Sequence, residues 1–142
     1  MAARRKTLDT LTKVRKQLLD DAHRALVDAL ERESEAAGAF KEAQHAIRRE
    51  HDCAASLDAG DAAVEAFARW LPEGRRVCAE AEARLAAAQA ATLQARAQLN
   101  LSRAAAEAAS ELLAEDVSAA RTESERKLQA ALDDAGLRVR RE

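Results

Sequence analysis

A 3-4 spacing of apolar residues runs along this chain almost without interruption, and it restricts what the chain can become. From Leu19 it passes through Ala22, Leu26, Ala29, Glu33, Ala36, Phe40, Ala43, Ile47, Glu50, Ala54, Leu57, Asp61, Val64, Ala68 and Leu71. Thirteen of these sixteen positions are apolar, the pattern of a heptad seam along which two helices pack side by side. Glu33, Glu50 and Asp61 are the exceptions. A second run follows through Cys78, Ala81, Leu85, Ala88, Thr92, Ala95, Leu99, Ser102, Ala106, Ala109 and Leu113, where only Thr92 and Ser102 are polar and both are small. Beyond Leu113 the pattern moves to Val117, Ala120, Ser124, Leu128, Ala131 and Ala135, a change of phase of the kind a stutter produces.

Two seams in one chain call for a reversal between them. The stretch Trp70-Leu71-Pro72-Glu73-Gly74 holds the only Pro, the only Trp and one of the four Gly. Proline lacks a backbone N–H and disfavours helical geometry in the residue before it, so a helix arriving here is expected to stop near Leu71. Gly74 offers the permissive backbone of a turn. The reading is an all-α fold: a single long antiparallel two-helix coiled-coil hairpin over 1–142, with its turn near residues 72–74. Arm one runs over about 5–71 behind a Thr7 N-cap, arm two over about 75–135, and Gly136 opens a basic tail at 136–142. Arms of this length would each extend roughly 90–100 Å. Ser56–Asp61, with Asp58 and Gly60, is a second interruption. Because the heptad phase crosses Gly60 without slipping, one helix bent or loosened at 58–61 is preferred there to a fresh helix capped by Asp58 or Asp61.

The composition supports a helical chain and argues against a catalytic globule. Aromatic residues are 2% of the chain, represented by Phe40, Phe67 and Trp70 alone. Ala is the best helix former but buries little area, so an Ala seam makes a thin core. No Gly-rich phosphate loop and no Tyr are present, and the carboxylates stand at helical spacing beside Lys or Arg, as exposed ion pairs do. No catalytic residue, cofactor or metal is therefore expected. His45, His51 and Cys53 lack the i, i+3 or i, i+4 spacing that would bring ligands together on one helix face. Cys53 and Cys78 are expected as free thiols in a reducing cytoplasm, since neither a signal-peptide pattern nor a membrane-spanning run is apparent.

The net charge of −2 conceals an asymmetry: residues 1–24 carry +4, residues 121–142 carry +1, and the rest carry −7. Folded as a hairpin, the two chain ends are expected to form one basic pole, with Arg4, Arg5, Lys6, Lys13, Arg15, Arg138, Arg140 and Arg141 as candidate protein-binding residues. Solvated ends, a nucleic-acid contact or a membrane-surface foot on Leu8, Leu11, Leu18 and Leu19 are the other readings of that charge. Nucleic acid is disfavoured because no aromatic residues are interleaved with the basic ones. Phe67 and Trp70 share a helix face at i, i+3; they either pack into the seam or form an exposed anchor.

The opening Leu8-Asp9-Thr10-Leu11-Thr12-Lys13-Val14-Arg15-Lys16, the Ala/Glu/Arg-rich first arm, the central Phe67-Ala68-Arg69-Trp70-Leu71 and the Ala-rich second arm together resemble the FliJ family of flagellar type III export proteins. The resemblance is one of layout and spans the length of the chain. It implies a cytoplasmic, non-enzymatic export component, reaching the membrane only through its partners. Such a protein is a stalk that docks its terminus-bearing end on the hexameric export ATPase, contacts the cytoplasmic domain of the export gate and escorts substrate chaperones. It implies ATPase docking through the basic residues named above and rod contacts through Phe40, Ile47, Phe67 and Trp70. The alternatives are a generic cytoplasmic coiled-coil scaffold or adaptor, or the stalk of a virulence-type secretion system.

Overall fold

A computed structural model describes residues 2–56 and 58–141. The chain is all-α, a hairpin of two helices: α1 spans Ala2–Ala55 and α2 spans Gly60–Val139. They are 54 and 80 residues long, so the matched arms expected from the sequence are not what forms.

The reversal lies at residues 56–59, not at 72–74. At the end of α1 the Ser56 amide donates to the Cys53 carbonyl at 3.4 Å, and Ala59 donates to Ser56 at 3.2 Å. These i to i−3 bonds tighten the last turn and satisfy carbonyls that the helix leaves unpaired. The Ser56 hydroxyl also donates to the Cys53 carbonyl, at 3.0 Å. Gly60 then takes φ +71°, the only positive φ among the described residues, and redirects the chain into α2. Asp61 places a carboxylate in the first turn of α2, where the helix dipole favours it. The segment 58–61 is thus a break between helices, not a bend within one.

Pro72 and Gly74 sit inside α2. Proline forfeits one helical hydrogen bond and costs about 3 kcal/mol relative to Ala in a helix interior. Ala68, the residue four before it whose carbonyl loses its helical donor, is exposed. The helix is held together around the defect by its own contacts. Leu71, Gly74, Cys78 and Ala81 keep the 3-4 spacing straight across the proline, and all four are buried or half-buried. On the outer face Arg76 binds both Glu73 and Glu80, one turn to either side.

The described residues fall into two compact units. One combines Met1–Asp21 with Asn100–Glu142; the other is Ala22–Leu99 and contains the turn. In the first, Thr12 and Ala109 meet across the helices, the Thr12 hydroxyl lying 2.9 Å from the Leu8 carbonyl of its own helix and 3.4 Å from that of Ala109. In the second, Thr92 does the same, 3.1 Å from the Ala88 carbonyl and 3.4 Å from Ala29. Both pairs fix one register, a residue back along α2 for each residue forward along α1. That register sets large residues against small ones: Ala22 against Leu99, Phe40 against Ala81, Ile47 against Gly74, Leu19 against Ser102. Ala22, Ala29, Ala43, Ala81, Leu99, Ala106 and Ala109 form the apolar core. No large side chain among the described residues is completely buried, as expected of a seam between only two helices.

Candidate protein-docking surfaces

In the turn-containing unit, the reversal at 56–59 brings α1 and α2 together around the central aromatic pair. Phe67 and Trp70, three residues apart on α2, have ring centroids 6.2 Å apart and planes tilted by 33°. His51, near the end of α1, meets Phe67 edge-on, with centroids 5.8 Å apart and planes at 76°. This T-shaped arrangement suits the ring quadrupoles. His51 and Phe67 join Gln44, Ile47, Arg48, Leu71 and Arg75 around an open groove of about 470 Å³. Ile47, Phe67 and Leu71 are half-buried in it while Arg48 and Arg75 are exposed, so it suits an apolar side chain flanked by carboxylates.

Trp70 is neither an exposed anchor nor a plug between the helices. It is half-buried, and its indole lies over Gly74 on its own helix. A Cβ at Gly74 would lie 2.6 Å from the far edge of the six-membered ring. Gly74 therefore serves close packing here, with Trp70 above it and Ile47 opposite in the seam, and not chain reversal. Of the rod residues named from the sequence, Ile47 and Phe67 line the groove and Trp70 stacks beside it. Phe40 lies one heptad before Ile47 in the seam, half-buried, and is not among the groove residues. His51, Arg48 and Arg75 were not candidates on sequence grounds. Sixteen residues separate His51 from Phe67, and only a turn near Gly60 brings them together.

The ion pairs of this unit are exposed. Arg76, bridging Glu73 and Glu80, holds the Glu73 carboxyl below the usual carboxylate range by hydrogen bonding, and is itself held more basic by the two acids. Arg49 does the same to Glu42 through a 2.8 Å contact.

The terminal unit places the basic residues differently from expectation. Arg4 reaches Asp116 on α2, Nε to Oδ1 3.5 Å, and the Asp116 side chain is only 15% exposed while that of Arg4 is 71%. Lys13 pairs with Asp9 on its own helix at 3.0 Å. Arg5, Lys6 and Arg15 are exposed on α1. Arg138, Arg140 and Arg141 do not join them. Arg138 lies about six helical turns beyond Asp116, roughly 33 Å along α2. The expected single basic pole is thus two clusters, because α2 is longer than α1 and runs past its start. Residues 121–141 are exposed throughout, leaving a stretch of α2 without a partner helix in this chain.

Thr12, Gly74 and Asp116 are seam residues that the expected spacing omits. Thr12 is buried, while the recognised seam began at Leu19. Leu8, Thr12, Arg15 and Leu19 keep the 3-4 spacing, but two polar side chains among four hid it.

Among the described residues, no three His, Cys, Asp or Glu side chains cluster closely enough to hold a metal ion. None of the described helices is long and apolar enough to cross a membrane. No family model, curated protein or solved structure matches the chain.

Proposed function

We propose that the protein is a non-enzymatic component of a flagellar type III export apparatus, a stalk that docks on the export ATPase and links it to the export gate and to substrate chaperones. The observation that carries this reading is the form of the terminal unit. A two-helix seam ends beside the basic start of α1, and a single helix tipped by Arg138, Arg140 and Arg141 continues from it. A narrow helical projection with cationic residues at two levels can enter an opening lined by acidic side chains, and its charge steers the approach. The layout resemblance to the FliJ family supplies the identity of the ring. In this reading Arg4, Arg5, Lys6, Lys13 and Arg15 meet the rim of the ATPase hexamer, and Arg138, Arg140 and Arg141 reach further in. Gate and chaperone contacts fall at the other unit, on Ile47, Phe67 and Trp70 with Phe40 nearby. The protein works in the cytoplasm, at the inner membrane only through those partners.

The test is to add the full chain to its cognate export ATPase and follow hexamer formation and ATP turnover. Both should rise. Replacing Arg138, Arg140 and Arg141 by Glu should abolish the rise while leaving the helical content unchanged. A wild-type chain that changes neither quantity overturns the reading.

A further inference from the structure

Past Ala120, α2 presents an apolar stripe that nothing in its own chain covers. Leu128, Leu132 and Val139 are 63%, 59% and 76% exposed, and with Ser124, Ala131 and Ala135 they follow 3-4 helical spacing. The stripe is not a continuation of the surface that packs on α1. The half-buried and buried positions Ala106, Ala109, Leu113, Asp116 and Ala120 define the hairpin seam, and its heptad would next use Glu123, Lys127, Ala130 and Asp134. Ser124, Leu128, Ala131 and Ala135 stand one position later, a rotation of about 100° around the helix, and Leu132 and Val139 stand two positions after Ala130 and Leu137, further round in the same sense. A helix other than α1, approaching from a different side, is needed to bury them.

The charges beside the stripe say which helix. One flank carries Glu123, Lys127, Asp134 and Arg138, a row reading acid, base, acid, base. Turned end over end, the same row reads base, acid, base, acid. An antiparallel second copy therefore sets Lys127 against the partner's Asp134 and Glu123 against the partner's Arg138, and the two-fold axis repeats both crossings. Lys127 and Glu123 already lie 3.4 Å apart on one helix, so each would exchange an exposed local pair for one across an interface.

We propose that the 121–139 extension of α2 is a homodimerisation segment, pairing antiparallel with the same segment of a second copy. The helices share about five turns, so the buried area falls below that of a standard stable interface, and the dimer is weak and readily exchanged for another partner. The pairing involves this chain alone and does not depend on any export ATPase.

Sedimentation velocity and small-angle scattering of the full chain, from low micromolar to about 1 mM, test it. The weight-average mass should rise toward two chains with concentration. Combining Leu128→Asp with Leu132→Asp should hold the chain at one copy with unchanged circular dichroism, because neither residue touches the hairpin. Lys127→Glu should weaken association roughly tenfold, and adding Asp134→Lys should restore it. A single-chain mass throughout overturns the proposal. So does self-association that survives the Leu128/Leu132 change, or a charge swap that fails to restore it. A monomer that still stimulates the ATPase would remove the dimer and leave the export reading standing.

Discussion

Two short stretches of this chain carry helix-breaking residues, and they meet opposite fates. Ser56–Gly60 becomes the turn, while Trp70–Gly74, with the only proline, stays inside an 80-residue helix. The weaker breaker by local propensity wins. At Gly60 the chain exploits a backbone state that other residues adopt only with strain, φ +71°, and Asp61 and Val64 just beyond it are exposed. At Pro72 a stop would separate Leu71 from Gly74 and Cys78, which together line the seam, and would break the stack of Trp70 on Gly74. A proline defect of about 3 kcal/mol is outweighed when the turns on both sides are fixed by packing. What decides where a helical hairpin folds is the register it must satisfy, and local helix-breaking power comes second.

Replacing the two breakers should separate their roles most plainly at Pro72. Pro72→Ala restores an amide donor within a continuous helix and should raise the unfolding free energy by up to about 3 kcal/mol, read from urea titrations followed by circular dichroism. A loss of stability, or none gained, would mean that Pro72 shapes a turn after all. The next effect is at Gly74. Gly74→Val drives a branched side chain into the Trp70 ring and should cost about 2 kcal/mol. In a Trp70→Ala background the collision disappears, so Gly74→Ala should there become stabilising, by about 1 kcal/mol. If the Gly74 change has the same effect with and without the indole, the two residues do not interact as described. Gly60 gives the smallest change. Gly60→Ala forces a Cβ into the left-handed region and should cost about 1 kcal/mol, with Gly60→Asn losing less because Asn tolerates that region. A neutral Gly60→Ala would show the turn to be formed without that geometry.

Much of the candidate docking surface was legible in the sequence only as isolated residues. Phe67 and Trp70 stand out in a chain with three aromatic side chains, and their i, i+3 spacing places them on one helix face. Their surroundings were not legible. His51, Arg48 and Arg75 enter the groove only because α1 ends at Ala55. With the turn displaced to 72–74, Arg48 and His51 would lie more than four turns from Phe67 along one helix, and Arg75 would open the other. The basic residues show the reverse case. Their identities and signs are plain in the sequence, but whether Arg4 and Arg138 share a pole depends on where each helix ends. Arg4 meets Asp116, and Arg138 stands six turns away.

That this chain is helical, and which face of α2 packs between Cys78 and Leu113, follows from spacing within a few turns. The second seam, from Cys78 to Leu113, is buried or half-buried at every position expected of it. Which residue faces which is fixed only when the two helices pack. An Ala-rich seam is nearly degenerate in register, since one Ala opposite another fits much as well as its neighbour three or four places along. The degeneracy is lifted by a few distant pairs, Thr12 with Ala109, Ala29 with Thr92, Ile47 with Gly74, and by a glycine that can turn the chain where those pairs require it. The same choice leaves residues 121–139 of α2 without a partner in their own chain, a consequence that spacing along one helix cannot reveal.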